Sequence, residues 1–285
     1  MLPCPYCGEL IRDGQLLAWA DVCRCSACGL IFRSSRQPIQ QCRTEKEHFY
    51  EDALSRIEIN GSRLRIYRHI LNRIGFKRKG ALLDVGSGCG LFLVEAQKDG
   101  WKTTGIEPSP LQSEVAANQY GQEIFRGTLS DFPDAIRFDA VTFVNSLDLT
   151  DAPWKDVQKA RHLLRRDGLL YLRFPNSSIH VCLHRLLSAL RLYDQMRKLT
   201  IFHRYSFSKR FIARMLSECG FSDIRIFNSP FSDSFGIRYI LNPSLVAFVK
   251  QTVYLINEVL RVLSFGRIIL GTSLEVIAVR SGSSD

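Results

Sequence analysis

The sequence has no long uncharged hydrophobic run. Its most hydrophobic late stretch, 245–265, is interrupted by Lys250, Glu258 and Arg261, whereas a helix that spans a bilayer needs roughly 20 nearly uncharged residues. The first residues also lack the basic and apolar segments of a secretory signal. These absences argue against a membrane-spanning protein and predict a cytoplasmic location. With 46% hydrophobic and 23% charged residues among 285, the composition indicates a globular protein with a sizeable core.

A basic tail is also absent, although the formal net charge is +10. Lysine and arginine are spread along the chain, with local clusters at 63–73, 77–79 and 161–166. A basic balance is typical of proteins that bind nucleic acid, an anionic membrane or an acidic small substrate. Scattered bases fit solvated helix faces equally well, so charge alone selects none of these partners.

Cysteine, by contrast, is concentrated at one end, with five of the nine residues in the first 28. Two C-x-x-C-G knuckles, Cys4–Gly8 and Cys25–Gly29, each place two thiolates on a tight turn. Without a secretion signal, this spacing favours a metal over disulfides. We predict a closed, structural zinc site, with reduced cysteines without metal as the alternative. The predicted ligands are Cys4, Cys7, Cys25 and Cys28, with Cys23 as an alternative to Cys25.

The next pattern is a strand, a glycine loop and a helix. The apolar run Ala81–Val85 contains Asp84, the loop Gly86–Gly90 follows, and a helix begins at Leu91. This layout is that of a nucleotide-binding βαβ unit, in which bare backbone and a helix N-terminus contact the ligand. The third glycine comes two positions after the second, not three as in the dinucleotide fingerprint. An acid beside the loop suits an ammonium and the loop amides suit a carboxylate, which favours S-adenosylmethionine.

A second acid ends the following strand. Lys102–Ile106 precedes Glu107, which stands where doubly wound folds hold the ribose hydroxyls of a nucleotide. A carboxylate there can accept hydrogen bonds from both hydroxyls, and a surface loop acid is the alternative. The sequence further predicts strand 3 at 122–126, with the turn 127–131 beside the adenine.

Two stretches, Leu83–Gly90 and Gly105–Ser109, resemble motifs I and II of class I S-adenosylmethionine-dependent methyltransferases. Phe138–Phe143 is similar to strand 4 of these enzymes. Leu163–Leu170 is similar to the turn into strand 5, with Arg166-Asp167 where Pro-Gly is usual. The stretches 174–176, 203–208 and 219–221 resemble the downstream pattern of the Methyltransf_23-like group. Some members of that group carry an N-terminal cysteine-knuckle module and act on small metabolites or sugars.

The resemblance implies an α/β fold with a Rossmann-like seven-stranded sheet, whose last strand, near 273–279, is antiparallel and lies between strands 5 and 6. The implied organisation is a zinc ribbon at 1–42, a helical linker at 43–80 and a methyltransferase domain at 81–285. Helical insertions are predicted near 177–200 and 243–265. The implied cofactor contacts are Asp84, Gly86, Ser87, Gly88, Gly90, Glu107, Pro108, Thr128, Leu129 and Asn145.

The acceptor side is less conventional. Related sequences often read Leu-Glu-His after strand 4, but the stretch Asn145–Leu149 has no histidine. Methyl transfer mainly requires that the acceptor be held in line with the methyl group, and a general base helps when the acceptor is a hydroxyl or an acidic carbon. His203 is the first candidate base and Tyr205 the second, because both precede the strand 6 unit. A packing or surface role is the alternative for His203.

The main functional prediction is O- or C-methylation of a small molecule, with a sugar or a polysaccharide or lipid-linked precursor as candidate acceptors. One interpretation of the two insertion helices is an acceptor lid that touches a lipid-linked or anionic substrate, and a peripheral membrane contact is a candidate partner. Packing on the sheet or a dimer contact is the alternative for these helices, and for the second helix the sequence favours this alternative.

Two other functions stay open on the sequence alone. One is an rRNA or tRNA methyltransferase that binds RNA through the zinc module. The bases between the knuckles number only two, Arg12 and Arg24, and strand 4 is not followed by an Asn/Asp-Pro-Pro-Tyr turn, so nucleic acid is the weaker prediction. The other is a non-catalytic binding protein.

Overall fold

The computed structural model contains a large sheet flanked by helices and a group of short N-terminal strands. It describes residues 2–11, 16–17, 22–34, 61–75, 79–196, 199–231 and 243–282. In chain order the strands are β1 (Leu2–Pro3), β2 (Leu10–Ile11), β3 (Leu16–Leu17), β4 (Val22–Arg24), β5 (Ile31–Arg33), β6 (Ala81–Val85), β7 (Lys102–Glu107), β8 (Ile124–Arg126), β9 (Phe138–Val144), β10 (Leu164–Pro175), β11 (Tyr205–Ser206), β12 (Phe221–Asn228) and β13 (Ser273–Arg280). The helices are α1 (Gly61–Ile74), α2 (Leu91–Lys98), α3 (Pro110–Tyr120), α4 (Pro153–Leu163), α5 (Ser177–Ala189), α6 (Tyr193–Met196), α7 (Lys209–Glu218) and α8 (Pro243–Leu263).

The large sheet has seven strands in the order β12-β13-β10-β9-β6-β7-β8. Strands β6 to β10 pair in parallel, and β13 lies antiparallel between β10 and β12. The predicted fold class, including the antiparallel last strand, is therefore confirmed. The chain runs outward from β6 through β8 and then returns to place β9 on the other side of β6. Such a switch point opens a ligand crevice at the carboxyl ends of the strands.

The N-terminal strands form a small ribbon that packs on the large domain. The hairpin β1–β2 carries the first cysteine knuckle, and the second knuckle joins β4 to β5. Tyr6 lies with its ring centroid 5.5 Å from that of Trp154 and 5.1 Å from that of Phe211, and its hydroxyl donates to the carboxylate of Glu218. Buried ribbon residues and sheet residues thereby share one hydrophobic core.

Helix α1 is attached to the sheet by a buried acid. Glu275 on β13 is fully buried, and its Oε2 lies 3.0 Å from His69 Nε2 and 3.6 Å from Arg73 Nε. The helix begins at Gly61 and ends at Ile74, within the predicted helical linker 43–80. The earlier part of that prediction, and the domain boundary at residue 42, lie outside the described residues.

Three predicted boundaries differ from the structure. The residue pattern predicts a helix over 154–166 and strand 5 over 169–174, whereas helix α4 ends at Leu163 and β10 begins at once, so this strand is longer than predicted. Asp167, at the position usually held by glycine, has a left-handed φ of 59°, which Asp tolerates better than most residues. The first insertion is two helices and not one, because Arg191 with φ 56° interrupts it. Among the described helices, none is both long and apolar enough to cross a membrane.

Candidate active site

The glycine loop lies at the switch point, directly after β6. Gly86 and Gly88 have φ angles of 75° and 57°, a left-handed region that favours glycine. A Cβ atom on Gly86 would lie 2.4 Å from Cβ of Ser146. Glycine is therefore required at position 86 for two reasons: the left-handed backbone conformation, and the close approach of the segment that follows β9.

Hydrogen bonds attach this loop to the end of β7. The amides of Gly86 and Ser87 donate to the Ile106 carbonyl at 2.8 and 3.0 Å. Glu107 is buried, and its Oε2 accepts from the Gly88 amide at 3.0 Å while its Oε1 accepts from the Ser109 amide at 2.9 Å. The Glu107 carboxylate thus lies beside the glycine loop at the carboxyl end of β7, as the sequence predicts.

Asp84 is the second carboxylate beside the loop. It is buried within β6, and Oγ1 of Thr142 on the neighbouring strand donates to Asp84 Oδ1 at 2.6 Å. Burial raises the pKa of Asp84 to about 7. The hydrogen bond from Thr142 lowers this pKa, and the negative charge of Glu107 raises it further. A nearby cation would lower that pKa and favour the ionised form. Two carboxylates, a bare-backbone loop and a helix N-terminus fit the ammonium, carboxylate and ribose of S-adenosylmethionine.

The remaining predicted cofactor residues lie at the same edge of the sheet. Pro108 follows β7, and Thr128 and Leu129 follow β8, where the Gly127 amide donates to the Glu107 carbonyl at 3.3 Å. Asn145 follows β9 with a left-handed φ of 58°. Because the carboxyl ends of parallel strands meet at one edge, the structure brings these residues together with Asp84 and the glycine loop.

Arg173, near the end of β10, is a site residue that sequence analysis missed. It is buried, and its guanidinium donates to Asn145 Oδ1 at 2.7 Å, to Ser229 Oγ at 2.8 Å and to the Pro230 carbonyl at 3.3 Å. The only sequence indication was an arginine inside the otherwise apolar stretch 169–174. Its contacts fix the segments that follow β9 and β12.

A histidine–aspartate pair lies next to this edge. Nδ1 of His203 is 2.5 Å from Oδ2 of Asp148, which belongs to the 3₁₀ turn Leu147–Leu149 after β9. Asp148 is 1% exposed, and its Oδ1 has no hydrogen-bond partner within the described part of the chain. The His203 side chain is 30% exposed, so a substrate can reach it. His203 is predicted from the sequence, whereas Asp148 is not; its only indication is an acid four residues after strand 4.

Tyr205, the second predicted base, is oriented differently. Its side chain is buried, its hydroxyl donates to the Asp151 carbonyl at 2.9 Å, and its ring packs edge-on against Trp154. These contacts favour a positioning role for this tyrosine.

The four predicted metal ligands converge in the ribbon. The sulfur atoms of Cys4, Cys7, Cys25 and Cys28 all lie within 4.8 Å of one another, with 3.7 Å between Cys4 and Cys28 and 3.6 Å between Cys7 and Cys25. A tetrahedral zinc with Zn–S bonds of about 2.3 Å requires S–S distances of about 3.8 Å. The cluster therefore fits zinc, and it contains Cys25, whereas Cys23 lies on β4 outside the cluster.

Comparisons with known proteins agree with this geometry. A family model, Methyltransf_23, described as a methyltransferase domain, matches residues 59–226. The ubiquinone biosynthesis O-methyltransferase of Actinobacillus pleuropneumoniae serotype 5b (strain L20) is 26% identical over 236 residues, which cover 73% of this chain and 97% of that protein.

Two solved structures have a similar fold. The plantazolicin methyltransferase BpumL, solved with SAH, has a TM-score of 0.52 and 16% identity, over 83% of this chain and 90% of that one. Magnesium protoporphyrin IX methyltransferase from Synechocystis PCC 6803, also with SAH, has a TM-score of 0.51 and 14% identity, over 77% and 84% of the two chains. At these identities the likeness shows the fold alone.

Proposed function

Because the chain belongs to the Methyltransf_23 family and is an S-adenosylmethionine-dependent methyltransferase, we propose that it methylates a hydroxyl oxygen of a small molecule. The observation that carries this proposal is the His203–Asp148 pair, with 2.5 Å between Nδ1 and Oδ2, beside the carboxyl edge of the sheet. A hydroxyl must lose its proton as its oxygen accepts a carbon, and an imidazole oriented by a carboxylate is suited to take that proton.

The cofactor residues are assigned on the same grounds. When bound, S-adenosylmethionine supplies a methyl group activated by its sulfonium. In our proposal Glu107 accepts hydrogen bonds from the ribose hydroxyls, Asp84 faces the ammonium group, and the loop amides at Gly86–Gly90 face the carboxylate. Thr128 and Leu129 border the adenine. These roles are supported by the position of each residue at one edge of the sheet.

The base acts through a defined tautomer. If Nδ1–H of His203 donates to Asp148 Oδ2, then Nε2 carries the lone pair that accepts the acceptor's proton. The buried Asp148 carboxylate would stabilise the imidazolium that results, because an opposite charge within hydrogen-bond distance favours the charged form. His203 is therefore the proposed general base, and Asp148 is its proposed positioning residue.

The acceptor class is a hydroxylated small molecule. The relative named as a ubiquinone biosynthesis O-methyltransferase supports oxygen as the methylated atom. The acceptors to screen are sugars, polysaccharide precursors and lipid-linked hydroxyl compounds. Compounds with an acidic carbon are included to test for methylation at carbon.

An RNA acceptor has less support. In the ribbon residues that the structure describes, the bases are Arg24 and Arg33 alone, and one side of the ribbon is covered by the large domain through Tyr6. Phosphate contacts would make RNA affinity fall steeply with salt. A measured steep slope would move the assignment to the RNA methyltransferase alternative.

The test is an acceptor screen with radiolabelled S-adenosylmethionine, followed by mass spectrometry of labelled products. We expect transfer to a hydroxyl compound, and we expect His203→Gln to lower kcat about 100-fold or more, within the range for a general base. The control is His162→Gln, because His162 is 53% exposed on α4. Equal kcat for His203→Gln and wild type would refute the base. Transfer to an acidic carbon and to no hydroxyl compound would refute oxygen as the methylated atom.

We also propose that the thiolate cluster holds one structural zinc. Metal analysis of the purified protein should give one zinc per chain, and Cys28→Ser should lose it. Cys182→Ser is the control, because Cys182 is an exposed cysteine outside the cluster. Zinc retained by Cys28→Ser, or absent from the wild type, would contradict this assignment.

An exposed apolar surface supports a lipid-linked acceptor. Helix α8 turns polar side chains toward the domain: Asn228 Nδ2 donates to Glu258 Oε1 at 2.9 Å, and the Arg261 guanidinium lies 5.0 Å from the Phe227 ring centroid. Its opposite side is apolar and more than half exposed. That side consists of Phe248, Leu255, Val259, Val262 and Leu263.

We propose that this side of α8 lies on an anionic membrane surface that carries the acceptor. An amphipathic helix binds such a surface through its buried apolar area and its basic residues. Between residues 243 and 270 the acid Glu258 pairs with Arg261 on the side that faces the domain. The other charged residues of this stretch, Lys250 and Arg267, are both basic, and the chain has a net charge of +10. A membrane therefore fits the exposed side in both polarity and charge.

Vesicle sedimentation tests the membrane proposal. The wild type should pellet with vesicles that contain phosphatidylglycerol and less with phosphatidylcholine alone, and Val259→Asp should abolish pelleting. Ile136→Asp, an exposed apolar position outside the helix, is the control. If the wild type ignores vesicles but forms a dimer that Val259→Asp dissociates, the surface binds a second copy and the membrane proposal fails.

A further inference from the structure

The zinc ribbon and the large domain share a small sheet. Strand β11, within the large domain, pairs antiparallel with ribbon strand β5, with Tyr205 opposite Phe32 and Ser206 opposite Ile31. The resulting sheet has the order β11-β5-β4-β3. The strand that the ribbon holds therefore begins two residues after His203.

One ribbon residue, Arg33, forms hydrogen bonds with the backbone on both sides of His203. The Arg33 amide donates to the carbonyl of Arg204 at 3.0 Å, and Arg33 Nη2 donates to the carbonyl of Phe202 at 3.0 Å. These carbonyls belong to the residues immediately before and after the histidine. The Phe202 carbonyl belongs to the peptide group that precedes His203, and the Arg204 carbonyl belongs to the peptide group one residue beyond it, so the two bonds restrain the backbone on either side of the histidine and hence the direction of its side chain.

A short path joins Arg33 to the thiolate cluster. The second knuckle is closed by hydrogen bonds from the Gly29 amide to the Cys25 carbonyl at 3.0 Å and from the Cys25 amide to the Leu30 carbonyl at 2.9 Å. Strand β5 begins at the next residue, Ile31. A ribbon of this size has little core of its own, so a metal bound at the knuckle would contribute to the order of β5 and of Arg33.

Besides the contacts of His203, Arg204 and Tyr205 with the segment that follows β9, two further contacts hold the same segment near its ends. The Ile201 amide lies 3.4 Å from Nδ1 of His180, and the amide of Ser177 donates to the Phe207 carbonyl at 3.1 Å. Burial lowers the pKa of His180 to about 4, so this anchor stays neutral and intact at physiological pH. Neither anchor contacts the carbonyls of Phe202 and Arg204, which accept hydrogen bonds from Arg33 of the ribbon.

We propose that the ribbon is the anchor of the catalytic segment, and that Arg33 is a positioning residue for His203. The inference rests on the proposed role of His203 as the general base. It assigns to the ribbon a task within the reaction site, in place of the RNA-binding role that a zinc module suggests.

The first test measures amide hydrogen exchange of the segment 201–206. Arg33→Ala removes the bond to the Phe202 carbonyl, and we expect exchange about tenfold faster, the change that corresponds to one lost hydrogen bond. Arg33→Lys, which keeps a donor, should restore part of the protection. Arg24→Ala is the matched control, an exposed arginine on the neighbouring ribbon strand. Wild-type exchange rates in Arg33→Ala would overturn the proposal.

The second test removes the metal. Chelation, or Cys28→Ser, should accelerate exchange in 201–206 while the affinity for S-adenosylmethionine stays within about twofold of wild type, because the cofactor residues lie on the large sheet. Unchanged protection of this segment after complete loss of zinc would overturn the proposal. An equal acceleration across β6 to β10 would show general unfolding and would also overturn it.

The third test separates this inference from the proposed function. With an acceptor from the screen, Arg33→Ala should lower kcat and leave the KM for S-adenosylmethionine unchanged. The double variant Arg33→Ala/His203→Gln should be no slower than His203→Gln, because residues that act as one unit are not additive. A full kcat in His203→Gln refutes the base alone, since the exchange result stands. Additive losses in the double variant refute the positioning role alone.

Discussion

Replacing Glu107 by glutamine removes one negative charge at the end of β7 and keeps the shape of the side chain. The Glu107 carboxylate accepts two backbone hydrogen bonds, from Gly88 at 3.0 Å and from Ser109 at 2.9 Å, in a buried position. An amide has one oxygen, so one of the two N–H groups loses its acceptor. Hydrogen bonds to charged groups contribute about 1.5–3 kcal/mol each, and a buried unsatisfied donor costs about 1–3 kcal/mol. We therefore expect the free energy of unfolding to fall by about 1.5–3 kcal/mol.

The same substitution should weaken the binding of S-adenosylmethionine by about tenfold or more, equivalent to about 1.4 kcal/mol. Urea unfolding gives the stability and titration calorimetry the affinity. Glu114→Gln is the control: its carboxylate is 55% exposed and lies 3.9 Å from Arg126, and exposed ion pairs contribute about 0–1 kcal/mol. If Glu107→Gln binds the cofactor as tightly as Glu114→Gln does, the cofactor site is assigned to the wrong residues.

Three further predictions concern single positions. Because the pKa of Asp84 is raised to about 7, its proton is bound more tightly in the folded state, so stability without cofactor should fall as pH rises from about 4 to 7, by at most about 1.4 kcal/mol per pH unit. Cofactor affinity, measured by calorimetry, should instead rise through that range and become flat in Asp84→Asn; a pH-independent wild type would contradict the ammonium contact. Gly86→Ala should abolish cofactor binding, because the alanine Cβ would lie 2.4 Å from Ser146 Cβ. A cofactor affinity of this variant equal to that of the wild type, measured by titration calorimetry, would contradict this prediction. Tyr6→Ala should lower the unfolding free energy by about 1–3 kcal/mol and expose the ribbon to protease, and unchanged cleavage would show that Tyr6 does not hold the ribbon.

The cofactor-binding residues could be predicted from local sequence patterns. The apolar run before Asp84, the glycine loop and the acid at Glu107 are close in sequence or end adjacent strands, so periodicity and turn chemistry place them together. The cysteine knuckles are equally local, since each pair of thiolates lies on one turn. Even the choice between Cys23 and Cys25 was limited to two positions, and the convergence of four sulfur atoms selected Cys25.

The residues on the acceptor side of the site could not be predicted from local sequence patterns. Asp148 lies 55 residues from His203, and Arg33 lies 169 residues from the Phe202 carbonyl that it binds. No rule of spacing connects residues so far apart. The missing histidine after strand 4 indicated only that the position differed from related sequences, and the structure places an acid there that meets a histidine from a distant segment.

The cofactor loop and the thiolate spacing were determined by the sequence itself, because each depends on interactions within a few residues or on the general rule that parallel strands end at one edge, whereas the order of strands was implied by the resemblance to a known family. The tertiary structure alone decided which side of α8 faces outward, which acid orients His203, and which ribbon strand holds that histidine's segment. Those outcomes depend on how separate elements pack against one another, and packing is set by the whole core and not by any one stretch of chain.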